Sequence, residues 1–281
     1  FCATTSRMSA TVELEVAAVH GAGALSKRDA VAVEEPLELR VQRGSDAPRA
    51  LTLTMRTPGE DDALALGFLF AESVIASAAD VMSTTRMDDN VISLALAPHV
   101  ASPFDRAERR FTTTSACGVC GKTSLEALDL RLPAQPPSAL AIDAATLHAL
   151  PRKLREAQSA FQSTGGLHAT ALFDATGALV ALHEDVGRHN AMDKTIGAEL
   201  RAGRIPLRDR VLLVSGRASF ELVQKAAMAG CPMLAAIGAP SSLAVELAAR
   251  AGMTLVGFLR DDRFNVYAGT ERIRETSTAG A

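Results

Sequence analysis

Residues 211–259 read VLLVSGRASFELVQKAAMAGCPMLAAIGAPSSLAVELAARAGMTLVGFL, and this stretch decides the fold. Val211 to Ser215 is a short continuous apolar run of the kind that fills a strand buried on both faces. A helix is expected from Ser219 to Ala229, stopped by Gly230. Met233 to Ile237 is the next strand. Ser241 or Ser242 can cap a helix to Arg250, which Gly252 ends. Thr254 to Leu259 is the last strand. Three strands joined by two helices through short loops imply parallel neighbours with right-handed crossovers. The segments Ser215–Ser219, Gly238–Ser242 and Arg260–Arg263 then all follow carboxyl ends of strands. They share one sheet edge, where open α/β sheets bind ligands.

Upstream, Ala169–Phe173 and Ala178–Leu182 flank Asp174-Ala-Thr-Gly177, a hairpin pattern. Arg188 to Leu200 reads as a helix. Further back, Val31–Val41 and Leu51–Arg56 are strand candidates, Pro58 to about Ile75 opens on acidic residues and continues at helical spacing, and Val91–Leu96 is a third short strand. The pattern predicts three parts: a partly disordered extension over residues 1–30, where periodicity is weak; a small α+β domain over 31–111; and a three-layer α/β/α domain over 112–281 with a mostly parallel sheet, preceded by a cysteine loop. Residues 133–138 are a local break.

The chain has 281 residues, of which 48% are hydrophobic and 22% charged, with net charge −3. These values describe an ordinary globular protein and argue against a bulk nucleic-acid binder. No run reaches the roughly 18 apolar residues of a membrane span. Residues 1–16 lack the charged-then-apolar pattern of a secretory leader, and Met8 is a candidate start. Four cysteines, two of them isolated, do not form a secreted disulfide framework. A cytoplasmic protein is expected.

The sharpest motif is Ser115-Ala-Cys-Gly-Val-Cys-Gly-Lys122. Sulfur transfer needs a thiolate that attacks a donor persulfide and then presents its outer sulfur to an acceptor. Gly118 and Gly121 let the backbone expose both sulfurs, and Lys122 favours thiolate. Cys117 and Cys120 could also be half a zinc site, a dithiol redox pair or a structural loop. A closed zinc site needs two further ligands. Cys231, His168, His183 and His189 are available, but no second paired motif appears, and no metal is expected. Cys231, between Gly230 and Pro232, reads as a buried small residue. Redox chemistry is the stronger rival.

His168, Glu184, Asp185, Arg188 and His189 fall at element ends and together suggest a polar pocket, whereas Asp193 and Lys194 are as readily explained by helix salt bridges. Arg217, Arg260 and Arg263 lie on the expected ligand edge, and their forks suit phosphate. The helix starts after Arg217 and near Ser242 add backbone N–H groups.

With these residues in view, the chain resembles the FdhD/NarQ family of formate dehydrogenase accessory sulfurtransferases. The resemblance is carried by VAVEEPLELRV (31–41), TMRTPGEDDALALGFLFAESVI (54–75), TSACGVCGK (114–122), TGGLHA (164–169), HEDVGRHNAMDK (183–194) and SGRASFELVQKAAMAGCPMLAA (215–236). It implies a homodimeric sulfur carrier that accepts sulfur from a cysteine desulfurase and passes it to a molybdenum bis(molybdopterin guanine dinucleotide) cofactor destined for formate dehydrogenase. The persulfide would form on Cys117, with Cys120 as the second cysteine. The family's cofactor-binding stretch would correspond to Phe258, Leu259, Arg260, Asp261, Asp262 and Arg263, to which the residue reading adds Arg217, Ser242, His168 and His189. The resemblance further implies a cytidine-deaminase-like second domain. The zinc signature of those enzymes is missing, because His183-Glu184 is not H-x-E and Ala116 replaces the proline of P-C-x-x-C. The alternative functions are a dithiol oxidoreductase and a non-catalytic cofactor chaperone.

Overall fold

The structure is a computed structural model that describes residues 9–21, 23–104, 132 and 137–274. The cysteine loop and the expected domain boundary at 111/112 lie outside the described residues.

Strands β1 (Thr11–His20) and β2 (Gly23–Ala32) form an antiparallel ribbon, with Thr11 opposite Ala32 and His20 opposite Gly23. Most of the ribbon is exposed, including Leu14, Val19 and Leu25. That exposure explains why residues 1–30 show weak periodicity. With neither face buried in a core, nothing forces apolar and polar residues to alternate.

Next come β3 (Glu35–Arg43), β4 (Arg49–Arg56), helix α1 (Asp61–Ala71), β5 (Val81–Asp88) and β6 (Val91–Leu96). Their sheet has the order β4-β3-β6-β5, with β3 and β6 parallel and the outer pairs antiparallel. Leu37, Leu39 and Val41 of β3 and Ile92, Leu94 and Leu96 of β6 share a core with Leu64, Phe68 and Leu69 of α1. Strand β5, mostly exposed, has no apolar alternation to betray it in the sequence.

The second half runs β7 (Ile142–Asp143), α2 (Ala144–Ala157), α3 (Ser159–Thr164), β8 (His168–Asp174), β9 (Leu179–Asp185), α4 (Arg188–Arg201), β10 (Arg210–Val214), α5 (Phe220–Met228), β11 (Met233–Ala236), α6 (Ser242–Arg250), β12 (Thr254–Gly257), β13 (Asn265–Ala268) and β14 (Ile273–Arg274). The six-stranded sheet has the order β13-β12-β11-β10-β8-β9. Only the central β10, β11 and β12 are parallel; β8, β9 and β13 run antiparallel to their neighbours. The sheet is therefore mixed around a parallel centre, because the hairpin β8–β9 joins on one side and β13 turns straight back from β12. Side chains alternate across it. Leu172, Leu212, Val214, Leu234 and Leu255 face the helical layer that includes Met192, Leu222 and Leu247. Ala171, Phe173, Val211, Leu213 and Val256 meet Leu147, Leu150 and Leu154 of α2. Helices thus cover both faces, in the expected three α/β/α layers.

The smaller sheet and the larger one share a single core, and α1 packed on α4 is the bridge between them. Backbone meets backbone at this crossing. A Cβ added to Gly67 would stand 1.9 Å from the Asp193 carbonyl oxygen, and one added to Gly197 would stand 1.9 Å from that of Ala63. Polar ties fix the same joint. Asp185, fully buried, receives the Lys194 ammonium at 2.8 Å and the backbone N–H of Thr57 at 3.1 Å. Lys194 also donates to the Thr57 carbonyl at 2.9 Å, and Asn190 donates to that of Met55 at 2.7 Å. Asp193 takes Lys225 at 2.7 Å, so this pair and Asp185–Lys194 are buried bridges rather than surface ones. Burial pushes the Asp193 carboxyl above its ordinary value despite the Lys225 charge beside it.

Because neither backbone can retreat from the crossing, Gly67→Ala is expected to cost about 3 kcal/mol, the upper range for overpacking. The thermal midpoint should fall by roughly 6–12 °C for a chain of this size. An unchanged midpoint in a calorimetric scan would show that the helices can separate without penalty.

Candidate functional site

The carboxyl ends of β10, β11 and β12 lie side by side, and the loops that follow are laced together. Gly238 N–H donates to the Gly216 carbonyl at 2.8 Å, Ala218 N–H to Ala239 at 3.1 Å, Ser241 N–H to Ala218 at 3.0 Å and Phe258 N–H to Gly238 at 3.0 Å. Glycine is required at 238, because a Cβ there would lie 2.9 Å from the Gly216 oxygen. The antiparallel hairpin brings its own ends to the same edge. Ser215 N–H donates to the Ala169 carbonyl at 3.0 Å, and Ser215 Oγ accepts from Ala169 N–H at 2.9 Å. His168, the first residue of β8, therefore stands against the 215–219 loop, its ring 3.4 Å from where a Gly216 Cβ would be.

The start of α4 adds His189. Its Nε2 lies 3.4 Å from Ser219 Oγ and 3.8 Å from a Glu221 carboxylate oxygen. The imidazole beside it pulls the Glu221 carboxyl down to about 2, against the opposing cost of burial. Burial, followed by repulsion from Arg188 and His189, moves His168 the other way, below its ordinary histidine value. Arg188 Nε is buried without a hydrogen-bond partner among the described residues. The edge thus carries both basic and acidic side chains, and burial and neighbouring cations favour the neutral form of His168, which can offer a ring nitrogen.

Several expected residues sort differently. Glu184 does not enter a pocket; its carboxylate accepts from Ala160 and Phe161 N–H groups at 3.1 and 2.8 Å, serving the first turn of α3. Asp185 belongs to the buried joint. Arg217 is exposed on the edge, as are Asp261, Asp262 and Arg263. Ser242 is exposed at the first turn of α6, but the cap is Ser241, whose hydroxyl accepts from Ala244 N–H at 3.3 Å. Arg260 turns inward, and its Nη1 donates to the carbonyls of Ile237 at 2.6 Å and Leu259 at 2.8 Å. Leu259 is fully buried and supports the turn from below. Cys231 is buried too; burial pushes its thiol up to about 12, and the thiol lies 3.3 Å from the carbonyls of Arg210 and Met233. Cys117 and Cys120 lie outside the described residues.

Phe258 holds φ 53°, a left-handed conformation that costs a bulky residue about 1–3 kcal/mol, while 41% of its surface is exposed. Strain and exposure of an aromatic ring coincide on the carboxyl edge of the sheet. One contributor escaped the sequence reading. His148, on α2, reaches across to this turn and places Nδ1 3.0 Å from the Arg260 carbonyl oxygen. Leu147, Leu150 and Leu154 carry helical spacing that could have revealed α2, but Pro151 interrupts the pattern.

The profile of the FdhD/NarQ family matches residues 32–274. The chain is 50% identical over 278 residues to a sulfur carrier protein FdhD of Mycolicibacterium paratuberculosis, covering 95% of this chain and all of that one. It is 51% identical to a protein of the same name from Mycobacterium tuberculosis over 264 residues, covering 89% and 93%. A crystal structure from Desulfotalea psychrophila, described as a candidate formate dehydrogenase accessory protein, superposes with a TM-score of 0.73 at 24% identity, covering 95% of this chain and 100% of that one. Laced loops at the carboxyl edge of a mixed sheet, covered by helices on both faces, define an α/β protein of three layers. The chain belongs to the FdhD/NarQ family. Among the described residues, no helix is long and apolar enough to cross a membrane.

The depressed His168 value has a definite sign. A histidine whose folded pKa is lowered favours the fold above its unfolded pKa of about 6.5, and that contribution is lost as pH falls through the folded value. An NMR titration is expected to place the His168 midpoint below 6.5, and Arg188→Gln should raise it. A midpoint at or above 6.5 in the wild type would contradict the burial and charge seen here.

Proposed function

We propose that this protein is a cytoplasmic sulfur carrier that takes persulfide sulfur from a cysteine desulfurase and delivers it to a molybdenum bis(molybdopterin guanine dinucleotide) cofactor held for formate dehydrogenase, and that it works as a homodimer. The observation that carries the reading is the carboxyl edge of the six-stranded sheet. Exposed Arg217 and Arg263, the open first turn of α6 at Ser242 and the exposed Phe258 ring stand on one rim. Guanidinium forks and backbone N–H groups suit the diphosphates of the two guanine nucleotides, and an aromatic face suits a base. The half-identical relatives named as sulfur carriers support the sulfur chemistry.

The chemistry itself belongs to Cys117 and Cys120. Cys117 thiolate attacks the outer sulfur of the donor persulfide; the new S–S bond forms as the old one breaks, and the desulfurase leaves as thiolate. Cys120 thiolate then attacks the inner sulfur of the Cys117 persulfide. A Cys117–Cys120 disulfide forms and hydrosulfide is released to the molybdenum centre. The two cysteines supply the two electrons that reduce the sulfane sulfur to sulfide, and a cytoplasmic thiol reductant restores the dithiol. Lys122 favours the thiolate on which both steps depend.

Incubation with a cysteine desulfurase and cysteine should add the mass of one sulfur atom to a peptide containing residues 115–122, removable by reductant and absent in Cys117→Ala. Unchanged labelling of that variant would move the carrier role to another residue. For the edge, calorimetry with guanosine diphosphate should show a loss of about 1–3 kcal/mol in Arg217→Ala and in Arg263→Ala, as for other hydrogen bonds to charged groups. Wild-type affinity in both variants would place the phosphates elsewhere.

A further inference from the structure

We infer that His148 is a positioning residue for the ligand edge: by donating its Nδ1–H to the Arg260 carbonyl it holds the Phe258–Arg263 turn in the shape that sets affinity for a guanine nucleotide. The inference rests on the nucleotide-binding role proposed above for that edge.

The turn is not held by sheet pairing. It leaves β12 at Gly257 with Phe258 in a left-handed conformation at φ 53° and closes by an Arg260 N–H to Arg263 carbonyl bond of 2.8 Å. Three kinds of contact pin it from inside the protein. Phe258 N–H and Leu259 N–H donate to the carbonyls of Gly238 and Ala236 at 3.0 and 3.1 Å. The Arg260 guanidinium donates to Ile237 and Leu259 carbonyls. The third contact comes from outside the loop cluster, because His148 sits on the helix that covers the opposite face of the sheet from α4. Its Nδ1 is 3.0 Å from the Arg260 oxygen, and a carbonyl can only accept, so Nδ1 carries the proton. The same ring packs at 5.0 Å, tilted by 46°, on Phe264, the residue that follows the turn.

These contacts grip the turn at its middle and at its end. Arg260 uses its side chain, its N–H and its carbonyl in the turn's own scaffold, which leaves the outer residues Phe258, Asp261, Asp262 and Arg263 exposed for a ligand. A strained residue persists only where its surroundings over-determine it. His148 supplies one of those determinants from a separate element, as a donor at the carbonyl carried on a ring that also packs on Phe264.

The test separates the donor from the ring. His148→Phe keeps the aromatic packing and removes the donor; His148→Asn keeps an N–H at the position of Nδ1. Two readouts on the full chain are needed. Hydrogen exchange of the peptide spanning 258–265, without ligand, reports the turn, and calorimetry with guanosine diphosphate reports binding. We expect faster exchange in His148→Phe together with a roughly three- to tenfold weaker Kd, the range one net hydrogen bond supplies. His148→Asn should restore both to within about twofold. Unchanged exchange in His148→Phe overturns the positioning role whatever the ligand does. Faster exchange with an unchanged Kd overturns the link to binding, leaving a purely structural histidine. Absence of any guanosine diphosphate binding by the wild type overturns the nucleotide reading of the edge, and the proposed consequence for affinity falls with it.

Discussion

The crossing of α1 and α4, where Gly67 meets the backbone of Asp193 and Gly197 that of Ala63, governs how the two sheets are joined. Where two helices meet without side chains between them, their axes cannot slide or part without opening a void or a clash. Every element on the small sheet is referred through α1 to every element on the large sheet through α4. Ten of the eleven residues of α1 are buried, because the sheet β4-β3-β6-β5 covers one flank and α4 the other. A helix buried all round has little polar face, so beyond Asp61 and Asp62 its apolar residues extend past the helical spacing that marks it in the sequence.

Van der Waals contact alone would leave the rotation between the two layers soft. The ionic groups at the joint make it specific. Asp185 binds both a lysine on α4 and the chain just before α1, and Asn190 reaches back to β4. Removing one member of such a buried pair leaves an uncompensated charge and costs about 3–5 kcal/mol. Arg56 and Asp61 do the same within the smaller unit, with paired contacts of 3.0 and 3.2 Å and a further cation from Arg86 at 2.8 Å. Apart from Arg86, these groups lie in the motifs that carry the family resemblance. Much of that motif chemistry therefore serves the joint, while among the described residues His168, Arg188, His189 and Arg217 lie at the carboxyl edge.

How much of this was legible in the sequence depended on burial. The strands β10, β11 and β12 with their two helices were readable to within a residue or two, because a strand covered on both faces is a solid apolar run and its helices begin with Ser and end with Gly. The hairpin β8–β9 was readable from its turn. The ribbon β1–β2 and strand β5 were not, since exposed strands have no pattern to display, and α2 was masked by Pro151. At the site, the convergence of three loops followed from topology alone. What sequence could not tell was the direction in which a side chain turns. Arg260 and Arg263 are three residues apart with the same chemistry, yet one is spent on backbone carbonyls and the other is exposed. Glu184 and Asp185 looked like pocket residues because charged groups at element ends look alike whether they meet a ligand or a helix terminus.

The lacing of the carboxyl edge has a consequence for how such a protein can change over generations. The loops after β10 and β11 hydrogen-bond to one another, and the chain after β12 hydrogen-bonds to Gly238 in turn, so lengthening any one of them would break bonds in its neighbour. An insertion in one of these loops would therefore carry the cost of hydrogen bonds lost in the next. Exchanges of exposed side chains such as Arg217, Asp261 and Arg263 would leave that lacing intact. An edge built this way resists changes of shape more than changes of charge.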